Sequence, residues 1–164
     1  MQIHRSVGRA ALLFGTLLGL AIGARAQAPP LYGNSIGLER AKAVAAAALA
    51  EAEKHGWPMA VTVVDTSGNL IVFEKMDGTQ LGSIQVSQDK ARSAVLFKRP
   101  TKAFEDALAA GGVGLRVLKV PGAMPVEGGI PLVENGKIVG AVGVSGMQPA
   151  QDGQCASAGA AVIH

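Results

Sequence analysis

The chain has 164 residues, 15 basic and 12 acidic side chains, and a single cysteine. A lone cysteine excludes an intramolecular disulfide, and the scarcity of aromatics argues against a base-stacking or sugar-binding surface. About 138 residues remain past an export-type leader, enough for one domain with a real core and too few for two.

Residues 1–26 have the layout of a secretory signal peptide. Arg5 and Arg9 give a positive start, Ala10 to Gly23 is apolar, and Ala24-Arg25-Ala26 offers a small-residue cleavage site. The apolar run is short for a membrane span. A periplasmic or secreted protein, with no membrane attachment after cleavage, is therefore expected. Arg5, Arg9 and Arg25 are three of the 15 basic residues, so twelve remain in the mature chain against twelve acidic ones. No basic stripe is left to bind nucleic acid.

Residues 27–37 read as a flexible Pro/Gly/Asn/Ser leader in which Ser35 is placed to cap the first helix, and the domain proper spans 38–164. Leu38 to His55 has apolar positions at helical spacing. Gly56 suits the residue after its end, Pro58 stops it, and His55 falls at the helix C-terminus. Met59 to Val64 and Leu70 to Lys75 predict a hairpin around Asp65-Thr66-Ser67-Gly68-Asn69. A second helix is predicted from Ser83 or Ser87 to Phe97, and a short one capped by Thr101 ends before Gly111-Gly112. A short strand is expected near Val117. Ile130 to Val133 and Lys137 to Val144 flank Asn135-Gly136, the strongest short-range hairpin signal. Pro131 marks the first of these strands as an edge or bulged strand. Ala150 to Val162 predicts a last helix of small residues, packing closely on Gly140, Gly143 and Gly146. Cys155 is expected to be buried in it.

Several chemistries fail on these residues. Gly143-Val144-Ser145-Gly146 lacks the second glycine of a nucleophile elbow, because Met147 stands there. Gly140 to Gly146 lacks the strand-then-helix setting and GK[ST] ending of a phosphate loop. His55, His164 and Cys155 are too widely spaced for a zinc set. An apolar pocket with basic and glycine-rich walls would suit haem, whose propionates want Arg or Lys and whose iron wants an axial donor. The available donors are His55, His164, Tyr32, Cys155, Met59, Met76, Met124 and Met147.

The segments Met76-Asp77-Gly78-Thr79-Gln80-Leu81-Gly82-Ser83, Lys90-Ala91, Phe97-Lys98-Arg99-Pro100-Thr101, Gly128-Gly129-Ile130-Pro131-Leu132, Gly140 to Gly146 and Gln151-Asp152 occur in order. Together they resemble the GlcG/HbpS family of haem-binding proteins, the DUF336 or haem-degrading domain also found at the C-terminus of PduO-type proteins. The resemblance runs from about Leu38 to Ile163. It implies an α+β, profilin-like fold with a single antiparallel five-stranded sheet flanked by helices, assembled as a homo-oligomer. It implies haem as cofactor and a role in haem sensing, storage or handling, as a binding protein rather than an enzyme, with no catalytic residue assigned. The alternative is an accessory factor or enzyme acting on a small organic acid or aldehyde in a catabolic pathway. No axial iron ligand transfers from the family. The expected cofactor-binding residues are Arg99, Thr101, Met124, Pro125, Gly128 and Gly129, with His55 as a further donor. The same residues also read structurally, Arg99-Pro100-Thr101 as a helix break and cap and Gly128-Gly129 as the start of a strand.

Overall fold

The computed structural model describes residues 28–163; the expected signal segment and His164 lie outside them. The elements run β1 (Leu31–Tyr32), α1 (Leu38–His55), β2 (Ala60–Val64), β3 (Leu70–Lys75), α2 (Gly82–Phe97), α3 (Lys102–Ala109), a 3-10 helix (Gly112–Lys119), β4 (Gly129–Glu134), β5 (Lys137–Ser145) and α4 (Pro149–Ala160).

The Asn-Gly turn organises the sheet. Asn135 at φ 48° and Gly136 at φ 74° both take the left-handed conformation that a type I′ turn needs. They return β5 antiparallel to β4, with a register shift between Leu132 and Val133 that gives Val139 no partner in β4. β4, carrying Pro131, pairs with β5 alone, as its proline requires. β2 takes the other edge of β5 antiparallel, and β3 continues outward from β2.

The fifth strand corrects two expectations. Leu31 and Tyr32 pair with Lys137 and Ile138 in parallel, so the sheet is mixed rather than antiparallel. The supposed flexible leader thus carries β1, and its Ile36 is buried in the core. Two residues in parallel register leave no alternation to read in the sequence. Nor does Ser35 cap α1: Gly37 takes the N-cap position, and the Ser35 hydroxyl bonds Thr66 Oγ1 at 2.7 Å.

Strand alternation sorts the side chains onto two faces. Val61, Val63, Val142 and Val144 point toward α1 and α4, making the larger core with Val44, Ala45, Ala48, Cys155 and Ala156. Val64 and Ala141 point the other way and pack with Ala91, Ala94 and Val95 of α2. The result is three layers, with α1 and α4 on one face of the sheet and α2 on the other. Cys155 is buried as expected, and burial pushes its thiol up to about 11, which keeps it protonated.

Gly140 and Gly143 of β5 and Gly146 just after it do not share one neighbour, and their partner is not the final helix. A Cβ at Gly143 would lie 2.1 Å from the Ser87 carbonyl oxygen and 2.5 Å from Ala91 N, both in α2. At Gly140 it would meet the Val64 carbonyl, and at Gly146 the Pro58 carbonyl. α4 instead packs on α1, through Gly159 against the Val44 backbone.

The strand expected near Val117 is a 3-10 helix. Gly111 and Gly112 at φ 68° and 53° turn the chain sharply after α3, and Gly114 then rests on the Ala107 carbonyl, where any side chain would clash.

Candidate functional site

α2 carries a polar stripe on its inward face at Ser83, Ser87, Lys90 and Ser93, all buried. The spacing of three and four residues keeps them on one side of the helix. Each reaches a different partner. Ser145 Oγ bonds Ser83 Oγ at 3.0 Å, and Thr62 and Ser87 share a hydroxyl bond at 2.9 Å. Ser93 Oγ accepts from the Met124 amide at 2.9 Å. Among the described residues no buried side-chain nitrogen or oxygen lacks a partner.

Lys90 is the centre of this seam. Its Nζ donates to Asp152 Oδ2 at 2.6 Å and to the Val144 carbonyl at 3.1 Å, while the two side chains are only 1% and 3% exposed. Asp152 Oδ1 accepts from the Met147 amide at 3.1 Å. Burial pushes the ammonium below its usual range and the carboxyl above its own; each charge partly restores the other, and Glu105 and Glu127 add to the field that favours the ammonium. The pair ties α2 to the start of α4 across the end of β5.

Three of the expected cofactor-binding residues gather around this pair. Thr101 Oγ1 accepts from Gly129 N at 2.9 Å, and Thr101 N donates to the Gly129 carbonyl at 3.0 Å. The Thr101 hydroxyl therefore fastens β4 and does not cap α3, which has no side-chain cap. Gly128, at φ 128°, lies so close that a Cβ would stand 2.9 Å from Lys90 Nζ and 2.6 Å from the Val144 carbonyl. A Cβ at Gly129 would be 2.3 Å from the Lys90 carbonyl. In this structure Gly128 and Gly129 pack tightly on Lys90, and Thr101 anchors the start of β4.

Met124 belongs to a different place. With Asp89, Arg92, Leu96, Gly122 and Ala123 it lines a surface groove of about 340 Å³. Pro125 is half-buried as the chain passes from this groove toward Gly128. Gly122, at φ 81°, brings the chain against the Phe97 ring, and Phe97 meets Phe104 edge-on at 5.3 Å. Arg99 is exposed, stacks over Phe104 at 5.5 Å and donates to the Phe97 carbonyl.

His55 joins neither group. It ends α1 as expected, with Gly56 left-handed after it, and stacks on Trp57 at 4.3 Å. Its Nε2 is held by Glu51 at 3.3 Å and Gln154 at 3.1 Å. Glu51 also accepts from Gln154 Nε2 at 2.7 Å and from Lys54 Nζ at 2.9 Å, and these bonds, Gln154 foremost, draw its carboxyl down to about 2.

Haem chemistry can be set against these positions. The plate needs apolar surface, the propionates need cations, and the iron needs a donor. Tyr32 spends its hydroxyl on the Val95 carbonyl, Met76 Sδ accepts from Met59 N, and Met59 and Cys155 are buried. Met124 lines a recess beside the half-exposed Leu96, with the Arg92 guanidinium and the Asp89 carboxylate, so the groove offers haem a donor type, a cation and an apolar wall, with one anion among them. A larger recess of about 460 Å³ at Tyr32, Asn34, Asn135 and Lys137 is mainly polar and offers haem no comparable wall.

Sequence reasoning missed Asp89, Arg92 and Leu96 as groove residues and the Lys90–Asp152 bond itself. The pair had a signal: Ser83, Ser87, Lys90 and Ser93 mark one helix face, and a lysine on an otherwise small, neutral inward stripe needs a buried anion.

The arrangement defines a three-layer α/β/α domain with a mainly apolar recess, flanked by Arg92 and Asp89, at its surface. Comparison with known proteins supplies the family: residues 36–161 match the model described as haem degrading protein HbpS-like, and the chain belongs to that family. It is 40% identical over 107 residues to Protein GlcG of Escherichia coli strain K12, covering 65% of this chain and 78% of GlcG. The crystal structure of HbpS superposes with a TM-score of 0.73 at 34% identity, covering 80% of this chain and 92% of that one. A crystal structure of a PduOC:heme complex superposes with a TM-score of 0.71 at 26% identity, covering 79% and 96% respectively.

Proposed function

We propose that this chain is an exported haem-binding protein, used in haem sensing, storage or handling, that works as a homo-oligomer and seats haem in the groove at Met124. The observation that carries the reading is the groove: a thioether, a guanidinium and apolar walls at one surface position in a chain of the HbpS-like family. The haem complex of the PduOC relative supports it. Met124 is the candidate axial donor. Arg92 commits Nε to the Gly68 carbonyl and keeps its terminal nitrogens for a propionate. Leu96 and Ala123 supply apolar surface. Bound haem would bring an iron centre whose potential follows its axial ligand and its exposure. A groove of about 340 Å³ is at the small end for ligand sites, so it covers one part of the plate and leaves the rest outward.

Titration of the purified mature chain with haemin is expected to give a saturable Soret shift at fixed stoichiometry. A shift that grows without saturation, as adsorption does, would remove the reading.

Export rests on the leader, whose positive start, apolar run and small-residue site match a signal peptide. Expressed as the full chain in an export-competent bacterium, the protein recovered outside the cytoplasm is expected to begin at Gln27. Intact chains beginning at Met1 and held in the membrane fraction would show an anchor instead.

A further inference from the structure

The 3-10 helix is the one helical element of the described residues with no buried side chain. Val113 is 75% exposed, Leu115 52% and Leu118 64%, and Val120 just after them is also exposed. Apolar side chains left outward in a contiguous run call for a cover. The helix packs against α3, and its firm contact is at its start, where Gly114 rests on the Ala107 carbonyl. Beyond that point the chain runs to Pro121 and left-handed Gly122, which is itself a wall of the Met124 groove. Glycines at φ 68°, 53° and 81° therefore bracket the segment, and positions of this kind absorb the backbone rotation of a hinge. Arg116 and Lys119 lie among the apolar residues.

We infer that Leu115 to Val120 is a lid that closes on the groove at Met124 when haem is seated, laying its outward apolar side chains on the uncovered part of the plate. The inference rests on the haem reading of the groove and names what completes it. The groove alone is too small and too open to bury a porphyrin, and the segment that leads into its Gly122 wall carries the apolar area that the plate lacks. Arg116 and Lys119 travel with the lid and supply cations for the propionates at its edge. Haem release is then governed by lid opening.

Two readouts test this on the intact mature chain. Trypsin cleaves after exposed Arg116 and Lys119, and saturation with haemin is expected to slow those two cuts at least about tenfold while cuts elsewhere keep their rates. The Leu115→Ser/Leu118→Ser variant is expected to lose haemin to excess apomyoglobin about tenfold faster than the parent, as removal of two apolar contacts requires. Both side chains are exposed in the free protein, so the variant is expected to fold normally, which far-ultraviolet circular dichroism checks. Saturable haemin binding with unchanged cleavage and unchanged release would overturn the lid and leave the haem reading standing. Absence of saturable binding would overturn both.

Discussion

Lys90→Met is expected to lower stability by about 3–5 kcal/mol at pH 7, because it strands the Asp152 carboxylate in the interior without its counter-ion. The bond is short, at 2.6 Å, and neither side chain has water to fall back on. What remains for Asp152 is the Met147 amide and the backbone of Gly146. The pH dependence of the loss follows from the sign of the shift. Burial already raises the Asp152 carboxyl above 3.8, and loss of the ammonium raises it further. Between the unfolded and the folded value the native state holds the extra proton, so its stability falls as pH rises through that window. The variant should therefore approach the parent near pH 4 and fall away toward pH 7.

Lys90 itself is depressed in the folded protein, so between its folded value and 10.5 the unfolded chain binds more protons and stability rises with pH. The double change Lys90→Met/Asp152→Leu removes both charges and is expected to recover most of the loss. Urea unfolding of the three proteins at two pH values decides it. A single variant with the parent's midpoint at pH 7 would mean that the pair is not sealed from water.

Gly143→Ala is the second large effect expected. The new Cβ would meet the Ser87 carbonyl at 2.1 Å and the Ala91 amide at 2.5 Å. These are backbone atoms of α2, so no side chain can turn aside; the helix must lift from the sheet and loosen the Thr62–Ser87 and Lys90–Val144 bonds. Overpacking of this kind costs about 1–3 kcal/mol, and a backbone-to-backbone clash belongs at or above the top of that range. Gly136→Ala provides the contrast. Nothing lies within 4 Å of its Cβ, and only the left-handed φ of 74° is penalised, at about 1–2 kcal/mol. Thermal unfolding should rank Gly143→Ala clearly below Gly136→Ala, and the opposite order would contradict the close packing of α2 on β5.

These glycines also show where sequence reading succeeds and stops. The Asn135-Gly136 turn, both hairpins and all four α-helices were legible because turn chemistry and apolar periodicity are local signals. The partner of Gly143 was not local, but a rule for it was at hand. Alternation puts Gly143 on the face opposite Gly140 and Gly146, so one helix cannot cover all three. The parallel pairing of Leu31-Tyr32 left no trace, since two residues carry no period.

For the site, the sequence resemblance grouped Thr101, Gly128 and Gly129, which do lie together, and the structure shows a packing reason for each. Close approach to a ligand and close approach to a lysine both demand glycine. Met124 was named for its chemistry, while Arg92 and Leu96 were passed over because an exposed arginine and leucine on a helix are ordinary until a second segment closes a groove beside them.

Haem held at this groove, and not at the buried Thr101–Gly129 cluster, is the central claim. Haemin titration of Met124→Leu against the parent tests it most directly, since the two side chains are close in volume and the fold should be kept. The Kd is expected to rise about tenfold or more, with the Soret maximum displaced by loss of the thioether. An unchanged Kd with an unchanged Soret maximum would place the iron elsewhere and contradict the account.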